Sequence, residues 1–198
     1  MFVAKSLSLL TVAVCLCMAA AQAKASLITN GGFETGTLSG WTTTGNTTHV
    51  GVFSTSNNNH GITAEEGSDF ATFSNNNSTQ GYGGFSQTVA TTSGRSYILS
   101  CWFSNSGGSD TKNEFNVQWD GSSIYTLASF SQMSWTHYTW TVTGHGSDTV
   151  TFGGWQNAGL NALDNVTLAL APEPATLGLL AFGALGMIGQ AGWRKKRN

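Results

Sequence analysis

The chain has 198 residues, of which 40% are hydrophobic and 9% are charged, and its formal net charge is −2. Residues 26–170 contain nine acidic side chains but only two basic ones, Arg95 and Lys112. Because nucleic-acid binding needs Lys and Arg to neutralise phosphates, this composition argues against a nucleic-acid partner.

The N-terminal residues 1–25 have the three parts of a secretory signal peptide. Lys5 provides a short basic region, an uncharged apolar stretch follows, and Ala23 and Ala25 form an A-x-A cleavage site. The alternative, an N-terminal membrane anchor, is disfavoured because the apolar stretch is short. We therefore predict a signal-peptide helix that is removed after Ala25, which leaves residues 26–170 as one domain-sized segment.

This segment is rich in Gly, Asn, Ser and Thr, and it contains short runs of β-type residues separated by turn sequences. The runs are 48–53, 69–74, 84–91, 96–104, 114–119, 123–130, 135–143, 148–155 and 163–170. Short strands at this spacing, without helical periodicity, predict an all-β fold of the jelly-roll β-sandwich type. Cys101 lies within an apolar strand pattern, which predicts a buried structural thiol.

Alternation within the predicted strands separates a core face from an outer face. We assign to the core the side chains of Tyr97, Leu99, Cys101, Phe103, Phe115, Val117, Trp119, Tyr138, Trp140, Val142, Val150 and Phe152. The outer faces then carry Trp102, Asn116, Gln118 and His137. We expect these four residues to share one sheet face, on three strands that are neighbours or near neighbours. An indole stacks on the C–H side of a sugar while amides bond its hydroxyls, so this face is our candidate glycan-binding site. Trp135 is assigned to an outer face as well. The alternative is that Trp102 and Trp135 pack beneath loops or the second sheet.

Several motifs follow one another in a recognisable order along residues 27–170. The segment opens with LITNGGFETGTLSGWTTTG, continues through FSQTVAT, GRSYILSCWFS and FNVQWDG, and closes with LDNVTL. This order resembles the secreted galactose-binding-type jelly rolls, the fold of many carbohydrate-binding modules. The resemblance implies a structural Ca²⁺ held by Glu34 and Asp164, with carboxylates within about 6 Å of each other. The alternative is that Glu34 caps a turn and Asp164 bonds a neighbouring loop.

The C-terminal segment 171–198 contains both prolines of the chain, Pro172 and Pro174, on either side of Glu173. The uncharged run 175–193 follows, and as a helix it is long enough to cross about 30 Å of hydrocarbon. The run ends at the basic residues Arg194, Lys195, Lys196 and Arg197. Their charge favours a cytoplasmic C-terminus behind one transmembrane helix.

This order of PEP, apolar helix and basic tail resembles the PEP-CTERM protein-sorting signal of Gram-negative bacteria. The resemblance implies recognition by an exosortase-type processing enzyme and transient anchoring in the inner membrane. Removal of the tail would then release the protein to the cell surface or the extracellular space. The alternative is an ordinary tail anchor with a proline-containing stalk.

No residue pattern of an enzyme stands out, and we assign no catalytic residue. The histidines His49, His60, His137 and His145 lie in loops or on different strands without metal-ligand spacing, and no G-x-S-x-G motif occurs. Glu65 and Glu66 are neighbours, so in an extended chain they would face opposite ways. The pair Asp120 and Glu114 stays open as a set of hydrolytic carboxylates.

We therefore expect a non-catalytic exported protein that binds glycan, or scaffolds, in an exopolysaccharide-rich envelope. Two alternatives remain. One is a purely structural matrix protein without a ligand. The other is a secreted glycan hydrolase, which would need two carboxylates converging in a cleft.

Overall fold

The computed structural model describes residues 25–58, 60–73, 82–107, 113–156 and 159–172. Most of the predicted signal peptide, including Ala23, lies outside these residues. So do Glu173, Pro174, the predicted transmembrane helix 175–193 and the basic residues 194–197. Within the described part of the chain, no helix is long and apolar enough to cross a membrane.

Residues Ser26–Ala171 form one compact unit that contains ten strands. The strands are β1 (Thr42–Gly45), β2 (Val50–Ser54), β3 (Asp69–Phe73), β4 (Gly83–Ala90), β5 (Ser96–Asn105), β6 (Glu114–Trp119), β7 (Ser122–Ala128), β8 (Met133–Thr143), β9 (Ser147–Trp155) and β10 (Asn161–Leu170). Sheet 1 has the order β1-β4-β9-β6-β7, and sheet 2 has the order β2-β3-β10-β5-β8. Neighbouring strands are antiparallel, and the predicted all-β sandwich is confirmed.

The hydrophobic core lies between the two sheets, and it contains or contacts every side chain that alternation assigned to it. Phe103 of β5 stacks on Phe115 of β6, with ring centroids 4.0 Å apart and planes inclined by 3°. This contact joins sheet 2 to sheet 1. Cys101 is buried in the same core, and burial raises the pKa of its thiol well above the usual range.

The chain before β1 is hydrogen-bonded to both sheets. The N–H of Val166 in β10 donates to the carbonyl of Gly31 over 2.9 Å. The side-chain amide of Gln87 in β4 accepts from the N–H of Thr29 over 2.8 Å and donates to its carbonyl over 3.0 Å. The N-terminal segment is thereby fixed to both sheets, which positions Glu34 a few residues further on.

The sequence did not predict β1, because its four residues, TTTG, contain no apolar side chain. This strand forms by pairing with β4 at the edge of sheet 1. The other predicted strands are found within a few residues of their expected ends. β8 begins two residues earlier than expected, at Met133, beyond an irregularity in its pairing with β5.

Candidate functional site

The four predicted ligand-binding residues lie on two different sheets. Trp102 is in β5 and His137 is in β8, both in sheet 2, whereas Asn116 and Gln118 are in β6 of sheet 1. The expectation that they share one face is therefore wrong. Alternation places each residue on the outer side of its own strand, but it does not tell which strands share a sheet. Here the chain crosses from one sheet to the other between β5 and β6.

Asn116 holds β6 against β7. Its side chain is 7% exposed, and its Nδ2 donates to Ser123 Oγ over 2.7 Å and to Thr126 Oγ1 over 2.8 Å. Its Oδ1 accepts from Gln118 Nε2 over 2.9 Å. Because these contacts use both amide donors, the side chain is committed to the protein's own structure.

Trp102 and His137 form a ring pair on the outer face of sheet 2. They are direct partners in the pairing of β5 with β8, and their ring centroids lie 4.9 Å apart at an angle of 34°. Trp102 is half-buried and His137 is exposed. On its other side, Trp102 pairs with Asp164 of β10. The row of the three residues therefore runs from the edge strand β8 to the central strand β10 of sheet 2.

A cavity of about 410 Å³ adjoins this ring pair. Its lining includes His60, Thr63, Ser104, Gln132, Ser134 and Trp135. Ser104 and Trp135 lie two residues beyond Trp102 and His137 on their respective strands. Since a strand rises about 3.3 Å per residue, the cavity begins roughly 7 Å from the ring pair. We call the ring pair and this neighbouring cavity together the sheet 2 cleft.

Trp135 forms a fixed wall of the sheet 2 cleft. Its Nε1–H donates to the carbonyl of Thr63 over 2.7 Å, and its ring packs edge-on against Phe70 with centroids 6.2 Å apart. Ile62 and Leu160 complete this second, smaller hydrophobic cluster. Sequence reasoning placed Trp135 on an outer face and offered packing beneath a loop as the alternative, but it could not identify the loop. The role depends on a loop about 70 residues earlier in the chain, which no local pattern connects to β8.

Asp164 is fully buried and accepts hydrogen bonds from backbone N–H groups. Its Oδ2 accepts from Glu65 over 2.9 Å and from Glu66 over 3.2 Å, while Oδ1 accepts from Asn165 over 2.7 Å. Burial raises the pKa of Asp164 to about 7, although the three N–H donors act in the opposite direction. The carboxylate therefore fixes the start of the loop 65–69, which we call the acidic loop.

Glu34 fixes the other end of the acidic loop. Its carboxylate accepts from the N–H of Ser68 over 3.0 Å and from the N–H of Asp69 over 3.0 Å. Gly67 lies directly against it, since a Cβ at this position would be 2.4 Å from Glu34 Cδ. The two residues proposed from the ends of the domain thus contact the same five-residue segment.

Glu65 and Glu66 do not face opposite ways, as an extended chain would require. Both accept from Nδ2 of Asn165, over 3.3 Å and 2.8 Å, because the acidic loop is bent at this point. The pair Glu114 and Asp120 does not converge. Glu114 starts β6 and Asp120 follows its end, so the two Cα atoms lie roughly 20 Å apart along the strand.

The sandwich has the fold of carbohydrate-binding modules. It is similar to a family 61 module in complex with β-1,4-galactotriose, with 19% identity, 74% of this chain and 99% of that chain covered, and a TM-score of 0.52. It is also similar to the C-terminal family 22 module of Clostridium thermocellum Xyn10B, with 17% identity, coverages of 76% and 97%, and a TM-score of 0.54. The similar structures are mostly such non-catalytic modules. One of the others is the enzymatically active domain of a bacteriophage CBA120 tailspike protein, with 18% identity, coverages of 74% and 21%, and a TM-score of 0.50.

The C-terminal residues 170–197 match the family model of the PEP-CTERM protein-sorting motif. The chain therefore carries the sorting signal that its proline, apolar and basic segments predicted. This signal implies export and a destination at the cell surface or outside the cell. No curated protein sequence matches the chain.

Proposed function

We propose that the protein is an exported, non-catalytic glycan-binding module that acts in an exopolysaccharide-rich envelope. The observation that carries this proposal is the sheet 2 cleft, where the Trp102–His137 ring pair lies two residues along its strands from a cavity lined by Trp135. The volume of the cavity, about 410 Å³, lies within the range of small-molecule sites. Its aromatic rings offer stacking surfaces for sugar rings.

Exposed polar side chains supply the hydrogen bonds that such a site needs. His60, Gln132 and Ser134 line the cavity and are exposed. Their imidazole, amide and hydroxyl groups can donate to and accept from sugar hydroxyls. A shallow site of this kind binds weakly. We expect a Kd between micromolar and millimolar, roughly −4 to −8 kcal/mol.

The proposal is tested by binding of the Trp102→Ala variant to the host's own exopolysaccharide and to a glycan array. We expect Trp102→Ala to abolish detectable binding while its unfolding transition stays cooperative. Trp155→Ala is the matched control, because Trp155 is also half-buried but lies on β9 of sheet 1. Loss of binding in Trp155→Ala alone would place the ligand on sheet 1. Absence of binding in the wild type would favour the purely structural alternative.

A structural Ca²⁺ at the acidic loop forms the second part of the proposal. Ca²⁺ prefers several hard oxygen ligands. The carboxylates of Glu34 and Asp164, which both contact the acidic loop, are ligands of that type. These two side chains would hold the ion, which would supply additional stability by joining both ends of the domain. EDTA should then lower the melting temperature and Ca²⁺ should restore it. An unchanged melting temperature would contradict this part.

The third part concerns the sorting motif. We propose that an exosortase-type enzyme cleaves near Pro172–Pro174, after the predicted helix 175–193 has anchored the protein in the inner membrane. The basic residues Arg194 to Arg197 would then face the cytoplasm. Mass spectrometry of the protein from its native host should find a chain that ends near Pro172. A mature product that retains Arg197 would contradict the proposal.

A further inference from the structure

A second polar cluster lies away from the sheet 2 cleft, at the end of the sandwich where the β6–β7 hairpin turn meets the β4–β5 and β8–β9 connections between the sheets. It consists of Asp120 after β6, His145 before β9, and Asp148 in β9. His145 Nδ1 lies 3.0 Å from Asp120 Oδ2 and 2.8 Å from Asp148 Oδ1. One ligand atom from each side chain lies within 4.8 Å of the others.

The surrounding contacts hold both carboxylates in place. Asp148 is completely buried, and it accepts from the N–H of His145 and from the hydroxyl of Thr91. Burial acts to raise the pKa of Asp148, but these hydrogen bonds outweigh it and hold the pKa at about 2. Asp120 uses its other oxygen to accept from the N–H of Thr149 over 2.8 Å. Both carboxylates are therefore held in place beside one ring nitrogen.

We propose that Asp120, His145 and Asp148 bind a small divalent transition-metal ion. A neutral imidazole that carries its proton on Nε2 presents Nδ1 as a metal ligand, and carboxylate oxygens complete the set. The two negative charges match the charge of a divalent ion. Mixed imidazole and carboxylate ligands suit first-row transition ions.

The ion would take the place of a proton on His145 Nδ1. The separations of 3.0 Å and 2.8 Å between Nδ1 and the two carboxylate oxygens are those of N–H···O hydrogen bonds. Binding of the ion at Nδ1 would therefore release this proton. The side chain of His145 is 63% exposed, so water can complete the coordination.

The ion would connect turns that are far apart in sequence. Asp120 belongs to the turn between β6 and β7, and His145 to the turn between β8 and β9. Thr91, which bonds Asp148, follows β4. Binding should therefore raise the melting temperature as well as give a measurable affinity.

The experiment is calorimetric titration of Co²⁺ and Zn²⁺ into the full-length chain in detergent, with an affinity tag that lacks histidine. The protein is saturated with Ca²⁺ beforehand, so that the acidic loop does not compete. The test variants are His145→Ala, which removes an exposed ring, and Asp120→Asn, which keeps the acceptor for Thr149. The control is His49→Ala, since His49 is exposed in a distant loop.

We expect one equivalent of metal in the wild type and in His49→Ala. Both test variants should bind at least about tenfold more weakly, since even outer-shell changes cost 10–100-fold. The metal-induced rise in melting temperature should disappear with the affinity. Equal affinity in the wild type and His145→Ala, or no binding at about 1 mM metal, would overturn the proposal.

Discussion

Replacing Gly67 by Ala measures how strongly Glu34 holds the acidic loop. Gly67 has a φ of +67°, a conformation that costs a non-glycine residue about 1 kcal/mol. The added Cβ would lie 2.4 Å from Glu34 Oε1. Because the carboxylate is the free end of a flexible side chain, it can move aside. The remaining loss of stability therefore comes from the hydrogen bonds that the Glu34 carboxylate no longer accepts.

The size of this further cost follows from the donors that lose their acceptor. The N–H groups of Ser68 and Asp69 both donate to Glu34. A hydrogen bond to a charged group contributes about 1.5–3 kcal/mol. Glu34 is exposed, so water can donate to its carboxylate when the protein donors are lost, which reduces the net contribution of each hydrogen bond. We take about 0.5–1 kcal/mol for each donor, at the level of an ordinary hydrogen bond. Gly67→Ala should then lower the free energy of unfolding by about 2–3 kcal/mol in total.

Gly61→Ala is the matched control for this measurement. Gly61 has the same φ of +67°, but nothing lies within 4 Å of its added Cβ. Its substitution should therefore cost only the backbone term of about 1 kcal/mol. The assay is urea unfolding in EDTA, followed by tryptophan fluorescence. In a Glu34→Ala background, Gly67→Ala should also cost only about 1 kcal/mol. Equal effects of Gly61→Ala and Gly67→Ala in the wild-type background would refute the reasoning.

The same variants separate the hydrogen-bonding role of Glu34 from the proposed Ca²⁺ site. If Glu34 also binds Ca²⁺, then moving its carboxylate removes a ligand as well as two hydrogen bonds. The difference between Gly67→Ala and Gly61→Ala should then be larger in Ca²⁺ than in EDTA. An identical difference in both conditions would contradict the calcium proposal but leave the hydrogen-bonding role intact.

Two further predictions concern the core. Phe115→Ala should lower the free energy of unfolding by about 3–5 kcal/mol, because the ring is fully buried and stacked on Phe103. Phe53→Ala, at a position that is 37% exposed, should cost far less in the same urea titration, and equal costs would contradict the assignment of the core. Cys101 should react with a thiol reagent only as fast as the domain opens, because its thiol is buried and its pKa is raised. Rapid labelling of the native protein would contradict the burial of Cys101 in the core.

The strands and the core could be predicted because each follows from a local pattern. Alternating apolar residues in β5 and β6 face the core, and the structure buries Leu99 and Val117 completely. The short polar strand β1 could not be predicted in this way. It exists because β4 offers it a free edge, which is a tertiary cause rather than a property of its own sequence.

The polar cluster of Asp120, His145 and Asp148 shows a different limit of the sequence. No spacing motif connects Asp120 with His145, which lies 25 residues later. Only His145 and Asp148 are close in the chain, three residues apart, with His145 in the turn before β9 and Asp148 near the start of that strand. The three side chains meet because β6 and β9 are neighbours in sheet 1, so the turn after β6 lies beside the turn before β9. A search of the sequence for helical metal motifs therefore had no means of finding them.

A loop, rather than the strands, distinguishes the two outer faces of the sandwich. Both faces carry a half-buried tryptophan among polar side chains, Trp102 on sheet 2 and Trp155 on sheet 1. The cavity beside Trp102 has a wall built from a distant segment, because Trp135 is bonded to Thr63 and packed on Phe70. A ring pair on an open sheet offers stacking alone, whereas the wall adds depth and directed polar groups. If the segment around Thr63 creates the site, then loosening it should weaken glycan binding even though every residue of the ring pair stays in place. Phe70→Ala removes the ring on which Trp135 packs and leaves Trp102 and His137 unchanged, and we expect it to weaken glycan binding. Unchanged binding in a folded Phe70→Ala variant would show that the ring pair acts alone.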